Sequence, residues 1–506
     1  MSTQLIGGGL LHKGGDGQSG RPSGADFALR VSLLACAVVL SSPAPASAVV
    51  WFTRAKASGD GSSPSSPIGS TIGLDAVTRP GDIIILLASD EPLDGGLTLK
   101  ADQTLIGQAE AGRKPAITNS NRDRNGGNGV VLGEGCKVVD VRVERTEASG
   151  ILGVDVSGTC LIGVEVEDAN LSAGLTTTEV SLLGRVSHAG ILFLTTRKEK
   201  VTENRLLRCR VNKAAGIGIG SFSLKGARTR LIIGDSRSEG GALIPPLFDM
   251  GVAAFADGKG SESDLEITDS VIASRMSQQG RNLLVMAAAG AKVKARVERS
   301  RSGECGQDGI VGVATMVPAT VEVEIRDSTL EKAGQMNLEG TILNLTPSDP
   351  ERAHESLVSI DVVGSVIRDA GFVDGFRGEA QNVWLAPSML AEGPFAKGHY
   401  RLAIRDSVVE GAVKGGITIG NDGSNFKVAP DGGQYEVLLH DNAIRDNGTS
   451  EIAIAAGKAR IEARRNFWGS PAGLAEGRVI LLDEARRSQL DASEPLARPS
   501  ERLRSR

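Results

Sequence analysis

Apolar residues alternate with polar ones through most of the chain, and the alternation has a period of two. Val321, Val323 and Ile325, for example, stand two positions apart with glutamates between them. A helix would instead repeat its apolar positions every three or four residues. Val, Ile and Leu dominate these positions, as they do on half-buried pleated surfaces. The pattern therefore predicts a long series of short β-strands.

A tight bend recurs between these strands. It consists of an apolar residue, a variable residue, a polar or charged residue and then a small residue, as in IRDS at 325–328. A second strand-like run follows and often opens with Gly, as in GIVGV at 309 and GITIG at 416. The small residues are separated by 23 to 42 positions and are Thr146, Ala169, Cys209, Ser236, Ser270, Ser300, Ser328, Ser365, Ser407, Asn442 and Asn466.

This repeat is typical of a β-solenoid. Three short strands in a unit of about 23 residues, with a small residue at a fixed turn, describe one coil. Coils stack about 4.8 Å apart, so equivalent residues form ladders along the axis. Ser and Asn suit the bend because they are small and can bond to neighbouring backbone. We predict an all-β parallel β-helix of about 11 to 13 coils with three strands each, in which Ser236 to Asn466 form a structural ladder.

The high glycine content and the low aromatic content agree with a β-helix that has many corners and thin coils. Gly accounts for 65 of 506 residues, roughly twice its usual share of about 7%, and corners often need the positive φ that Gly adopts freely. Trp, Tyr and Phe together number only 16. The formal charge of -5 argues against a general polyanion binder, which would need a basic surface, and no nucleic-acid partner is predicted.

The first 48 residues have the features of an export signal. Residues 31–40 form an apolar run after Arg30, and Ala46, Ser47 and Ala48 provide an A-x-A ending. The run is shorter than the ~20 residues that span a bilayer. We therefore expect a leader and signal peptide at 1–48, no transmembrane segment, and a secreted or periplasmic mature protein.

Three further segments are predicted. Residues 49–82 form the N-terminal opening and cap, with a short amphipathic helix at 68–77 that ends before Pro80 and Gly81. Residues 83–483 form the β-helix. Residues 484–506 are charged and lack periodicity, which predicts a mobile tail.

Four cysteines follow the predicted cleavage site: Cys136, Cys160, Cys209 and Cys305. They contain no CxxC spacing, which argues against a zinc knuckle or a thioredoxin-like site. They are either small buried core residues or, in an exported protein, partners in a bridge. Cys136 and Cys160 lie 10 and 9 residues before their bends, so adjacent coils would bring them within disulfide reach.

The repeats carry a family resemblance. The IRDS and GI repeats, and the ending Arg464-Arg465-Asn466-Phe467-Trp468-Gly469-Ser470-Pro471, resemble right-handed parallel β-helix proteins of the pectin lyase-like superfamily. The stretches 59–63 and 79–82 are similar to the usual opening of such domains. The resemblance covers about residues 55–475 and is specific for fold rather than activity, since this scaffold hosts many functions.

The resemblance implies polysaccharide chemistry. Lyases on this fold remove a proton beside a uronate carboxylate, usually with bound calcium, and glycosidases on it use paired carboxylates. The chain contains none of the familiar signatures: no Gly-His-Gly, Arg-x-Pro-x-x-Arg, DPHD or Trp-Ile-Asp-His. The residues themselves predict no metal site and no cofactor, and calcium is suggested by the resemblance alone.

Long intervals between bends indicate insertions near 170–185, 240–250, 346–356, 387–400 and 421–435. Solenoids commonly place insertions on one face, where they would wall a groove over the sheet of GI strands. Glu339 lies among the charged residues at the rim of that sheet. The predicted catalytic residues are His188, Arg281, Asp308, Arg377 and Glu379, and the predicted sugar contacts are Trp384, His399, Tyr400 and Lys414.

Two functions remain open from the sequence. The chain binds or processes an extracellular or periplasmic polysaccharide along the groove, as a lyase or a glycoside hydrolase if it is an enzyme. Alternatively it is a non-catalytic surface protein with a structural or adhesive role. The fold resemblance, the export signal and the clustered insertions support the first, which is the main prediction. The missing motifs and few aromatic residues support the second, and the sequence leaves the oligomeric state undetermined.

Overall fold

The computed structural model describes residues 48–180, 184–240, 249–274, 279–315, 318–343, 355–371, 380–387, 398–420, 433–456, 458–481 and 489–504. The predicted leader lies almost wholly outside these ranges, and Val49–Arg506 forms one compact unit. Within the described ranges no helix is long and apolar enough to cross a membrane. Strands are numbered β1 to β42 in chain order.

The strands form a right-handed parallel β-helix, which confirms the predicted fold. Each coil contributes a strand in turn to three parallel sheets, called sheets A, B and C. In the described part of the chain, sheet A has fifteen strands: β1 Val50–Thr53, β2 Ile83–Leu87, β5 Thr104–Gln108, β8 Lys137–Val139, β11 Cys160–Ile162, β16 Val201–Leu207, β19 Arg228–Gly234, β22 Glu262–Thr268, β25 Lys292–Glu298, β28 Thr320–Arg326, β31 Leu357–Val363, β34 His399–Arg405, β37 Gln434–His440, β40 Lys458–Glu462 and β42 Leu490–Asp491.

Sheet B follows sheet A in each coil. Its twelve strands among the described residues are β3 Leu93–Asp94, β6 Ala116–Asn119, β9 Arg142–Thr146, β12 Glu165–Ala169, β17 Arg210–Asn212, β20 Arg237–Glu239, β23 Val271–Ser274, β26 Arg301–Cys305, β29 Thr329–Glu331, β32 Val366–Arg368, β35 Val408–Glu410 and β38 Ala443–Arg445.

Sheet C completes each coil and contains the GI strands. Over the described ranges its thirteen strands are β4 Leu97–Thr98, β7 Val130–Leu132, β10 Ile151–Val154, β15 Ala189–Thr195, β18 Ile217–Leu224, β21 Met250–Asp257, β24 Arg281–Ala288, β27 Asp308–Thr315, β30 Met336–Leu343, β33 Gln381–Pro387, β36 Gly415–Ile419, β39 Ser450–Ile454 and β41 Val479–Leu481. An antiparallel hairpin, β13 Leu175–Val180 and β14 Gly184–Ser187, precedes β15.

The period-two pattern places apolar side chains in rows inside the coil. Val321 and Val323 of β28 stand in register with Val358 and Ile360 of β31, and all four are buried. Residues between them point outward, so β28 alternates buried and partly exposed positions along its length. The core is therefore a stack of Val, Ile and Leu rows parallel to the axis.

The ladder residues occupy the corner between sheets A and B. Ser300 N donates to Ser328 Oγ at 3.1 Å, and Ser300 Oγ donates to Glu298 O at 2.8 Å. The row of backbone-to-side-chain bonds continues to Asn442, whose N–H donates to Asn466 Oδ1 at 3.0 Å. Its members are Ser236, Ser270, Ser300, Ser328, Ser365, Ser407, Asn442 and Asn466.

Two of the bends predicted from sequence belong to a different corner. Thr146 and Ala169 end sheet B strands and are paired with each other, while Val141 and Val164 stand at the corner between sheets A and B in those coils. The pattern misled because Arg145 and Asp168, the residues before Thr146 and Ala169, also have positive φ values of 48° and 50°. Cys209, at the start of the row, does lie at the A–B corner and donates its N–H to Ser236 Oγ.

A short helix, α1 Thr71–Val77, stands at the N-terminal end of the β-helix within the predicted 68–77 span. Ser70 accepts a bond from Gly73 N at its N-cap, and Leu74 is fully buried. The Lys100 ammonium donates to Asp75 O at 2.8 Å and so fixes the helix to the coils.

The described part of the predicted mobile tail packs on the β-helix, which differs from the expectation. It contains β42, which pairs with β40, and a helical turn, α2 Glu501–Arg504. Leu503 is buried against Val408, Ala443 and Phe467. The composition of the segment gave no sign of this contact, because a single buried leucine in a charged segment is enough to make it.

The predicted bridge between Cys136 and Cys160 does not form, and the four cysteines among the described residues are buried thiols. The two do lie on adjacent coils, since Cys160 N donates to Cys136 O at 3.0 Å. Cys160 is in register with Lys137, not with Cys136. Because consecutive strand residues point to opposite faces, the two thiols point away from each other.

Candidate active site on sheet C

The longer connections of the chain join sheet C to sheets B and A. The stretches outside the described residues at 241–248 and 372–379 connect sheet B to sheet C, and those at 344–354, 388–397 and 421–432 connect sheet C to sheet A. Both edges of sheet C therefore carry the longer connections. Two predicted catalytic residues, Arg377 and Glu379, lie outside the described residues.

The outer face of sheet C is apolar over its central coils. Leu192, Phe222, Phe255 and Val313 form a second buried cluster separate from the interior core. The rings of Phe222 and Phe255 meet edge-on with centroids 5.7 Å apart. Strands β18 and β27 are buried along their whole length, as in parallel sheets covered on both faces.

A charged cluster interrupts this apolar face at the corner between sheets B and C. Arg281 opens β24 and Asp308 opens β27, and the register of these strands places them side by side. Arg281 Nε lies 3.2 Å from Asp308 Oδ2, with side-chain exposures of 18% and 1%. Burial raises the pKa of Asp308, and the Arg281 charge only partly offsets that effect.

Glu339 joins this cluster from the next strand, β30, and it is partly exposed. Burial raises the pKa of the Glu339 carboxyl, the Asp308 charge raises it further, and Arg281 opposes both. Asp308 thus pairs with the guanidinium, while Glu339 is affected by the charges of both groups in a setting of low polarity. The pKa of Glu339 is raised to about 8 and that of Asp308 only to about 6, so Glu339 is the carboxyl that retains its proton at neutral pH.

Glu339 was not among the residues predicted to be catalytic, although it was noted at the rim of the sheet. Its signal is a single acidic residue inside the strand MNLEGTIL, whose other members are apolar, small or uncharged. On a strand with buried faces, an ionisable side chain needs a functional or structural reason.

Trp384 stands next to Glu339 on the outer face of sheet C. The two residues are in register on β30 and β33. The Trp384 indole Nε1 donates to Gly420 O at 3.2 Å, which fixes the ring toward the following coil. The predicted aromatic sugar contact and the carboxyl group are thus adjacent.

His188 lies at the same edge of sheet C but not in the cluster. It precedes β15, three strands before β24, which corresponds to about 14 Å along the axis. Its Nδ1 is 3.0 Å from Ser149 Oγ, and burial lowers its pKa to about 4, with a further contribution from the Arg122 charge. His188 is therefore a neutral, hydrogen-bonded side chain separate from Arg281 and Asp308.

The predicted sugar contacts around 384–400 separate onto different surfaces. Tyr400 is fully buried and stacks on Tyr435 inside the coil, with ring centroids 4.6 Å apart. It therefore cannot contact a sugar, and that prediction is wrong. His399, one position earlier, points outward from sheet A and is exposed, because strand neighbours face opposite sides.

Calcium does not fit the charged cluster. The positive charge next to Asp308 is the Arg281 guanidinium, which takes the place that a cation would need. Throughout the described ranges, no group of three or more His, Cys, Asp or Glu side chains is placed to hold a metal ion.

No protein-family model and no curated protein matches the sequence. Solved structures with a similar fold include the A-module of the mannuronan C-5 epimerase AlgE4 from Azotobacter vinelandii, with 12% identity, 88% of this chain and 98% of that chain covered, and a TM-score of 0.41. A mannuronic acid specific polysaccharide family 6 lyase from human gut microbiota has 11% identity, coverage of 84% and 88%, and a TM-score of 0.41. Pectate lyase Pel9A has 10% identity, coverage of 74% and 78%, and a TM-score of 0.30. At such identities the likeness concerns the β-helix fold.

Proposed function

We propose that this chain cleaves a polysaccharide and that Glu339 donates a proton to the oxygen of a glycosidic linkage. The setting of the Glu339 carboxyl carries the proposal. It is partly exposed on the outer face of sheet C and stands beside Trp384. Burial and the charge of Asp308 keep it protonated near neutral pH. A protonated carboxyl group that a substrate can reach is able to act as a general acid.

The neighbouring residues take different parts in this proposal. Asp308 is buried and acts through Glu339, so it is a positioning residue whose charge raises the pKa of the acid. Arg281 compensates the charge of Asp308. Trp384 offers an indole face on which a sugar ring can pack.

The two reactions implied by the family resemblance both use this proton. In hydrolysis the bond between the anomeric carbon and the glycosidic oxygen breaks, the oxygen takes the proton, and water adds to the carbon. In elimination a base removes a proton beside a uronate carboxylate and later releases it to solvent. A carbon–carbon double bond forms as the bond from the adjacent carbon to the glycosidic oxygen breaks, and the leaving oxygen takes the proton of Glu339. The products distinguish the two: only elimination creates an unsaturated sugar.

The first prediction tests Glu339. The full-length Glu339→Gln variant should lose about 100-fold or more of the kcat for polymer cleavage, because the amide cannot donate a catalytic proton. Cleavage is measured over a panel of acidic and neutral polysaccharides by new reducing ends and by ultraviolet absorbance of unsaturated products.

Glu322→Gln is the matched control. Glu322 lies on the outer face of sheet A, where it pairs with Lys292 at 2.7 Å, so its loss should leave kcat unchanged. Equal activity of Glu339→Gln and the parent would contradict the role of Glu339. A parent protein that neither cuts nor binds any polymer would favour the non-catalytic surface protein.

A further inference from the structure

A cavity of about 230 Å³ opens over β36 and β39, beyond Trp384 on the side away from Glu339. Thr418 lies in this cavity and is in register with Trp384, which is itself in register with Glu339. The cavity is therefore two strand spacings from the proton donor, about 10 Å along the axis. Its volume suits one small group such as a sugar ring.

The walls of the cavity differ in character. Gln381, Lys414, Thr418 and Ser450 line it with polar groups, while Ile480 and Leu481 contribute apolar surface. A sugar ring has the same division, with polar hydroxyls at its edge and an apolar face. This arrangement indicates a site for a polar ring rather than for a hydrocarbon.

Two groups in the cavity lack protein partners. Lys414 takes part in no ion pair within the described structure. The Gln381 side chain is only 6% exposed, and its Oε1 receives no hydrogen bond. A buried acceptor without a donor is costly, so a ligand that supplies a hydroxyl would satisfy it. An uncompensated lysine in the lining of the same cavity favours a ligand with a negative charge.

We propose that this cavity is a distal subsite for a sugar that carries an anionic group, either a carboxylate or a sulfate ester, bound by Lys414. The inference rests on the proposed function, which supplies the polysaccharide. The charged cluster does not oppose it: protonated Glu339 is neutral, and Arg281 balances Asp308. The subsite would select acidic polymers at a distance from the cleaved linkage.

The test measures binding in the Glu339→Gln background, so that cleavage does not interfere. Calorimetry compares a tetragalacturonate, its carboxyl-reduced counterpart and a sulfated galactan tetrasaccharide. Lys414→Met should weaken binding of the acidic probe about 10-fold or more and leave the reduced probe unchanged, because one charge-assisted bond is lost. Lys414→Arg should restore most of the affinity. The probe whose affinity falls in Lys414→Met shows whether Lys414 binds a carboxylate or a sulfate ester.

Lys458→Met is the control, since Lys458 is an exposed lysine on sheet A. Thermal unfolding checks that each variant folds. Equal loss for acidic and reduced probes, or no loss with Lys414→Met, would overturn the subsite while leaving the role of Glu339 intact. Binding of acidic probes through Lys414 without cleavage of any polymer would instead overturn the proposed function and keep the subsite.

Discussion

Single residues in the left-handed conformation make the corner between sheets A and B. Asp235, Asp269 and Asp327 precede ladder residues with φ values of 47°, 51° and 46°. Asp tolerates this region because its short side chain can bond to nearby backbone. Arg299 occupies the same corner position between two of these aspartates and pairs with Asp269 at 2.9 Å. The recurring aspartates are thus explained by backbone geometry and local pairing.

At the same scale, Asp308 controls the proton of Glu339. Asp308→Asn removes a negative charge that raises the pKa of Glu339, so that pKa should fall. The acid works only while protonated, and its activity declines as pH rises through its pKa. The alkaline limb of the kcat profile should therefore move to lower pH, by about one pH unit for each 1.4 kcal/mol of lost interaction.

Full pH profiles of the parent and variant measure this shift. Asp361→Asn is the control, because Asp361 pairs with Arg405 on the outer face of sheet A and should leave the profile in place. An alkaline limb that stays fixed in Asp308→Asn would show that Asp308 does not set the pKa of the acid.

Some residues of the candidate site can be predicted from their own positions in the sequence. Arg281 and Asp308 were predicted because both stand just before or within GI-type runs, and the register brings them together. Tyr400 was predicted to contact a sugar because it flanks the largest insertion beside His399, but alternate strand residues face opposite sides and Tyr400 points into the coil. Glu339 was missed because its chemistry depends on Asp308, whose sequence separation gives no sign of contact.

Among the elements, sheet A carries a charge pattern that alternates from strand to strand. β19 presents Arg230, which pairs with Glu203 on one side and Glu266 on the other. Further along, Lys294 of β25 pairs with Glu324 of β28 at 2.7 Å. Each exposed pair contributes little, but a coil shifted by one residue would lose the whole network. The pattern therefore favours the correct stacking register.

The ladder itself yields a prediction at the element scale. Ser300→Ala removes the acceptor for Ser270 N and the donor to Glu298 O, both in a buried corner. The free energy of unfolding should fall by about 1 to 3 kcal/mol. Ser300→Leu should cost more, because the 5% exposed site has no room for a larger side chain.

Denaturant unfolding followed by circular dichroism measures both variants. Ser359→Ala is the control, since Ser359 points outward from sheet A and is only partly buried. Unchanged stability of Ser300→Ala would mean that the ladder bonds contribute nothing net.

The strands could be predicted from the sequence more reliably than the corner of the coil to which each bend belongs. Val, Ile and Leu at period two determine the strands directly, and Ser or Asn marks the A–B corner from Ser236 to Asn466. Near the N-terminus, Val141 and Val164 take that corner, and no small polar residue marks it. The left-handed residue recurs at both corners, so its pattern alone cannot tell them apart.

For the whole molecule, the two ends of a solenoid must be covered, because unpaired strand edges can pair with other chains and cause aggregation. Helix α1 and strand β1 lie at the first coils, and β41 and β42 extend sheets C and A at the last ones. The C-terminal segment goes further and returns over sheet B. Arg502 lies 3.7 Å from Asp327, and Leu496 N donates to Asn466 O.

Leu503 is the residue that anchors this returning segment, since it is 4% exposed and packs on Val408 and Ala443 of sheet B. Leu503→Asp should detach the segment, because burying an unpaired carboxylate costs more than leaving it in water. We expect faster tryptic cleavage at Arg502 and a loss of about 1.5 to 3 kcal/mol of stability, the value of one buried leucine. Glu501→Gln, at an exposed position of the same turn, should change neither. If Leu503→Asp and the parent are cleaved at the same rate, the segment is already detached in solution, and the composition-based prediction of a mobile tail would hold.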